Sequence, residues 1–228
     1  ETQCRLLHRA SPVLSNAESE AIRAYMGKTA AAIDCTVEPV GGDHALRDAL
    51  NRIRREAEDA VRGGCEHVIL SDYAVGPERA PIPMILAAAA VHTHLTQQKL
   101  RTFTSVNVRS GECLDVHFVA VLIGVGATTV NAYLAQEAIA DRHRRGLFGE
   151  LALEDCAQRY IGAIAEGLPQ IMSKMGISVI SYYRGSNRFE ASDLSRTPVD
   201  DCLPALPSLI SGMRTPARTP EQPPPPPP

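Results

Sequence analysis

Between Ser15 and Ile180 the apolar residues keep switching period, from helical spacing to short β-branched runs and back, and few architectures accept that rhythm. Ser15 with Glu18 three residues on is a capping-box start for a helix reaching about Met26. Ala31 to Val37 reads as a strand. Asp43 is placed to cap the next helix, where Leu46, Leu50, Ile53, Ala57 and Val61 form one face and the charged residues the other. Gly63-Gly64 stops that helix, and His67 to Leu70 is a buried-type strand. After a proline-rich loop, Tyr73 to Pro83, Pro83 opens a helix in its first turn and the helix runs to about Gln98. Arg101 to Arg109 alternates as a half-buried strand. Val116 to Ile123 is a short helix, Thr128 to Val130 a strand, and a helix past Ile139 ends in the basic run Arg142 to Arg145, suited to its dipole. Glu154 to Met175 is a long helix that Pro169 is expected to kink or divide. Gly176 ends it, Ile177 to Ile180 reads as a fifth strand, and a polar turn from Tyr183 to Asn187 follows. Helix and strand in alternation predict an α/β fold: a mostly parallel sheet flanked by helices.

The 228 residues suffice for one domain with tails. With 4% aromatics and no Trp, the core has to be built from Ala, Leu, Ile and Val. A net charge of −3 gives no electrostatic case for nucleic acid or an anionic membrane. No apolar run reaches the roughly 18–20 residues that a membrane span needs. Cys4, Cys35, Cys65, Cys113, Cys156 and Cys202 are widely and irregularly spaced, which argues against zinc or an iron–sulfur cluster and for reduced thiols in a cytoplasmic protein. Residues 215–228 form a proline-rich tail that favours extended, disordered conformations. Glu1 in place of Met suggests a piece of a longer polypeptide or a processed product.

Candidate site residues come from strand ends and from the 167–184 junction. Ser71 and Asp72 stand at the carboxyl end of the second strand, where ligands of open α/β sheets collect, although Asp72 could equally cap the loop after it. Asn131 follows another strand. Lys174 could hold a carboxylate electrostatically and Arg184 could clamp one bidentately, with Ser178 and Tyr183 beside them; a solvated Lys and a loop-fixing Arg are the plainer roles. His92 and His94, two apart on a helix, point to different faces, which makes a shared metal improbable. Gly124-Val125-Gly126 follows a helix, a weak context for phosphate binding.

Several phrases, in one order, resemble the central domain of the glutamate synthase large subunit. They are L-L-H-x-x-S-P-V-L-S-N (Leu6 to Asn16), L-S-D (Leu70 to Asp72), A-V-H-x-H-L (Ala90 to Leu95), V-H-F (Val116 to Phe118), G-V-G-A-T-T-V-N-A-Y-L-A (Gly124 to Ala135), I-M-S-K-M-G-I-S (Ile171 to Ser178), Phe189-Glu190-Ala191 and P-S-L-I-S-G (Pro207 to Gly212). The resemblance implies a large flavoprotein in which a glutaminase domain releases ammonia, and an FMN site with electrons from an iron–sulfur cluster turns 2-oxoglutarate into glutamate. The central domain joins the two and helps form the ammonia path. Residues 1–194 then correspond to that α/β domain and 195–214 to a connector toward the flavin domain. The flanking glutaminase and FMN domains are the implied partners, with a small subunit or ferredoxin in the full assembly.

The chain lacks an N-terminal nucleophilic Cys and clustered cysteines, so FMN and the iron–sulfur cluster are expected in the full-length family protein and no cofactor on this chain, which alone is expected to be non-catalytic. The chain also departs from the family wording. Tyr73 replaces the Arg after L-S-D, Arg109 reverses a charge, and Phe118, Ala132, Pro169, Gln170 and Leu209 replace family residues. A diverged, inactive copy and an ordinary distant member both fit. A stand-alone α/β binding module, or a protein docking SH3-like or WW-like partners through its tail, are the other readings.

Overall fold

The computed structural model describes residue 9 and residues 11–39, 44–186, 189–190 and 201–204. Asp43, Cys4, the turn at Asn187 and the proline-rich tail lie outside the described residues.

Ser15 makes the expected capping box with Glu18 and opens α1 (Asn16–Met26). Burial pushes the Glu18 carboxyl up, but the Ser15 N–H and the Arg9 guanidinium outweigh it and hold it below the usual range. The central sheet is four-stranded, in the order β1 (Ala30–Asp34), β3 (His67–Ser71), β5 (Ser105–Arg109), β6 (Thr129–Asn131), with every pair parallel. Strands adjacent in sequence are neighbours in the sheet. Their crossover helices α2 (Ala45–Arg62), α3 (Met84–Gln97) and α4 (Val116–Gly124) therefore lie side by side and cover one face. Beyond β6, α5 (Tyr133–Arg144) packs on α6 (Leu153–Lys174), which also lies against α4.

The core sits between the sheet and α2–α4. Ile33, Val68, Leu70, Val106, Val108 and Val130 point into it from the strands, meeting Ile53, Leu95, Leu122 and Ile123. Four consecutive alanines, Ala87 to Ala90, are fully or almost fully buried in α3, which lets that helix lie close to the sheet and both neighbours. Side chains of the opposite sheet face are chiefly polar: His67, Ser71, Ser105, Asn107, Arg109, Thr129 and Asn131, with Ala30, Ala32 and Ile69. Period-two alternation thus separates an apolar face under the helices from a polar one that α1 covers only in part.

Several sequence expectations are corrected. The run read as strand from Ala31 to Val37 divides at Cys35. Thr36–Val37 (β2) turns away to pair antiparallel with Ala80–Pro81 (β4), inside what reads as loop. Asp34 fixes the division, accepting from the Thr36 N–H at 3.0 Å and from Arg79. Residues 101–103 form a 3-10 turn because the Arg101 guanidinium donates to the carbonyls of Thr104 and Gly126, and the strand begins at Ser105. Pro83 stands at the N-cap of α3, one position earlier than expected. Pro169 does not divide α6, which runs unbroken with Leu168 and Met172 anchored in the core.

The largest correction is at Ile177 to Ile180. No strand forms there; α7 (Ile180–Tyr183) does. The sheet edge that such a strand would need is taken. Val130 donates to the Pro12 carbonyl and accepts from Leu14, both at 2.9 Å, so residues 12–14 lie along β6.

Candidate functional site

Two polar constellations sit at opposite ends of the sheet, and the sequence-derived candidates divide between them.

Ser71, Asp72 and Asn131 lie at the carboxyl ends of the strands, as expected for that rim. Asp72 is almost fully buried. Its carboxylate accepts from the Gly111 N–H at 2.9 and 3.1 Å and from Ser110 Oγ at 3.1 Å. Burial raises its pKa, and those hydrogen bonds oppose the rise. The hydroxyl of Tyr133 borders the same carboxylate, and burial and then Asp72 push that phenol up to about 12. Ser71 Oγ accepts from the Tyr73 N–H at 3.2 Å. Asn131 donates to the Leu14 carbonyl at 3.1 Å and to Asn16 Oδ1 at 2.9 Å, pinning the start of α1. Each of these groups ties one strand end to a neighbouring segment. Asp72 has a capping role, but it secures the turn after β5 rather than only its own loop.

Arg109 completes this rim. Its guanidinium carbon lies 4.0 Å from the Tyr73 ring centre and 5.3 Å from that of Tyr133, and it pairs with Glu20 of α1 at 3.3 Å. The two rings meet edge to face at 5.1 Å. Sequence reasoning noted Arg109 and Tyr73 only as separate departures; the register that sets Arg109 opposite Ser71, two residues before Tyr73, was the missing signal.

Lys174, Ser178, Tyr183 and Arg184 lie at the α6–α7 corner. Lys174 is exposed in the last turn of α6, where its charge complements the helix dipole. Tyr183 is fully buried, edge to face with Phe189 at 6.1 Å. Ser178 and Arg184 line a groove of about 930 Å³ between α6 and the 177–184 segment. The sequence did not assign His92 and Arg101 to this corner. Arg101 Nε donates to His92 Nδ1 at 3.0 Å, which leaves the imidazole proton on Nε2, against the Gly185 backbone. His94 turns the other way, to Glu58 at 2.6 Å, so the two histidines diverge as their spacing predicts.

Burial, then Arg101 and Arg184, lower the His92 pKa to about 4. The folded state therefore refuses a proton that the unfolded chain takes up near 6.5. Stability supported by neutral His92 is present above that value and is lost as the pH falls from about 6.5 toward 4, by an amount on the order of 3 kcal/mol. We expect His92→Gln to flatten this part of a stability–pH profile measured by urea unfolding; an unchanged slope would show that other groups set it.

Among the described residues no group of three His, Cys, Asp or Glu is placed to hold a metal, and the described cysteines are free. The glycines of G-V-G do not leave a phosphate cradle open. A Cβ on Gly124 would lie 2.1 Å from the Phe189 ring, and one on Gly126 would lie 2.2 Å from His92. Both spaces are filled by the chain's own rings. Among the described residues no helix is long and apolar enough to cross a membrane.

A family model described as the glutamate synthase central domain matches residues 1–195. The chain belongs to the glutamate synthase central domain family. It is 65% identical to the glutamate synthase [NADPH] large chain of Azospirillum brasilense over 213 residues, covering 93% of this chain and 14% of that protein. The corresponding Bacillus subtilis large chain is 34% identical over 215 residues, with 93% and 14% covered. The chloroplastic ferredoxin-dependent glutamate synthase of Spinacia oleracea is 35% identical over 184 residues, with 76% and 11% covered. The chain thus spans about one seventh of the length of its bacterial relatives. Among solved structures, a flavocytochrome b2 double mutant with pyruvate bound has a TM-score of 0.47 at 18% identity, over 58% of this chain and 32% of that one.

Proposed function

We propose that this glutamate synthase central domain works as a connector, joining a glutaminase domain to an FMN domain and forming part of the wall along which ammonia passes, with no catalytic centre of its own. On this reading residues 1–194 are the domain proper, 195–214 lead toward the flavin domain, and 215–228 are a disordered tail. FMN, the iron–sulfur cluster and the contact with a small subunit or ferredoxin belong to the rest of a cytoplasmic enzyme.

The observation that carries this reading is the polar sheet face under α1. A cavity of about 180 Å³ lies there, bounded by Ile22 and Met26 of α1 and by His67, Ile69, Asn107 and Thr129 of the sheet. Its floor is a hydrogen-bonded ladder across three strands. Thr129 donates to Asn107 at 2.8 Å, Asn107 donates to Ser105 at 3.0 Å, and Ser105 meets His67 at 2.7 Å. Arg9, Arg23 and Arg109 also border the cavity. Neutral hydrogen-bonding groups suit ammonia, and surrounding guanidinium groups disfavour ammonium. At the carboxyl rim, by contrast, the Asp72 carboxylate is already committed to Ser110 and Gly111.

Ile69→Trp, placed to fill this cavity, tests the reading in the full-length polypeptide. Glutamate formation from glutamine should fall at least tenfold, while glutaminase activity and glutamate formation from added ammonium persist. Equal loss of all three would mark a folding defect, which the melting temperature would reveal. Retention of all three would overturn the path.

A further inference from the structure

We propose that the corner built from Arg184, Arg101 and His92 binds an oxyanion head group, a carboxylate or a phosphate, whose apolar body lies in the groove beside the C-terminal half of α6. This goes beyond the connector reading and uses a groove that adjoins the cavity at Arg9, Thr128 and Thr129.

The charge balance of the corner is the first observation. Arg101 donates to two carbonyls and to His92, and Arg184 makes no ion pair among the described residues. Arg9, the other cation lining the groove, is paired with Glu18 at 2.5 Å. Burial and the neighbouring Arg184 lower the pKa of Arg101 to about 10, and burial lowers that of Arg184. Two partly buried guanidinium groups thus stand beside a neutral imidazole without a counter-ion among the described residues, an arrangement that an anion would relieve.

Unsatisfied polar atoms are the second observation, and they are concentrated here. Of the four buried side-chain polar atoms without a hydrogen-bond partner among the described residues, three are Tyr183 OH, Arg184 Nε and Ser186 Oγ. Buried polar groups are nearly always paired, and of these three residues Arg184 also lines the groove, so its unpartnered Nε is the donor that an anion seated there would meet. A guanidinium fork matches the two oxygens of a carboxylate or phosphate.

The groove supplies the third. Its wall is apolar along Leu168, Met172, Ile177 and Ile180, and Ser178 is exposed at it. A ligand with a charged head and a hydrocarbon or ring body matches that division.

The test uses the full chain, with phosphate, acetate and hexanoate titrated against matched ionic strengths of potassium chloride and binding read as a shift in melting temperature. Phosphate and hexanoate should each stabilise beyond chloride. Hexanoate should bind at least tenfold more tightly than acetate, since its four extra methylenes would be buried against the apolar wall. Arg184→Gln should weaken both ligands at least tenfold, as expected for a charge-assisted hydrogen bond; Arg184→Lys should restore part. Should Arg184→Gln fail to fold, Ser178→Glu at an exposed position serves instead, its carboxylate competing with the anion. Tighter phosphate than hexanoate would assign the head to a phosphate ester, and the reverse to a carboxylate. Shifts no larger than those of chloride, or unchanged by the variants, would overturn the site, as would a carboxylate from elsewhere in the chain seated on Arg184. None of these readouts depends on glutamate formation.

Discussion

Gly126→Ala should cost about 3–5 kcal/mol and lower the melting temperature by about 10 °C or more, or leave the chain insoluble. Two independent penalties meet at this position. Gly126 has a φ of +119°, which L side chains rarely adopt, and a Cβ there would lie 2.2 Å from Nδ1 of His92. The ring cannot swing away cheaply, because Arg101 holds Nδ1 while donating to the Gly126 carbonyl at 2.8 Å. Relaxing the clash therefore means breaking the brace that carries the chain from α4 into β6. Gly149→Ala isolates the backbone contribution. Gly149 has a φ of +62° and nothing within 4 Å of a Cβ, so its cost should stay near 1 kcal/mol. Equal melting temperatures for the two variants would mean that His92 does not confine position 126.

The same residues show what a sequence can and cannot disclose. The alternation of periods carried the parallel sheet, its four strands and the six helices α1 to α6, because hydrophobic spacing is a local property. The Ser15 capping box was equally local. The Ile177 to Ile180 segment misled because its β-branched composition fits a strand, and composition says nothing of whether a sheet edge is free. Residues 12–14 had taken that edge through hydrogen bonds spanning more than a hundred positions. The polar sheet face was half visible in the alternation of Ser105, Asn107 and Arg109, but its coherence depends on the register that aligns them with His67, Ser71 and Thr129. The corner at Arg184 was legible only in part. Arg184 could be named from its chemistry, whereas His92 and Arg101 join it through the turn at Gly126, a close approach that no spacing encodes. The seven candidates divided into two groups because Ser71, Asp72 and Asn131 follow the carboxyl ends of strands, whereas Lys174 to Arg184, read as flanking a strand, belong to the corner between α6 and α7.

Asp72→Ala should destabilise the fold by about 2–4 kcal/mol, the cost of leaving buried donors unmatched. The Gly111 N–H and the Ser110 hydroxyl both spend their hydrogen bonds on this one carboxylate. Without it the turn after β5 loses its tie to the end of β3. Asp72→Asn should cost less, since one oxygen can still accept, although the amide NH2 would then face the Gly111 N–H. The pH dependence of the Asn deficit separates packing from charge. Because burial raises the Asp72 pKa, the native state holds the proton at pH values where the unfolded chain, near 3.9, has released it. The wild type is therefore helped most in acid, and that help is lost as the pH rises through the folded pKa. Asparagine does not titrate, so its deficit relative to wild type should shrink from pH 4 to pH 7. Taking the difference between the two proteins cancels the opposite trend set by His92. A deficit that grew over the same range would mean that Ser110 and Gly111 stabilise the charged form more than burial opposes it, and Asp72 would then be a carboxylate held ionised at the strand ends.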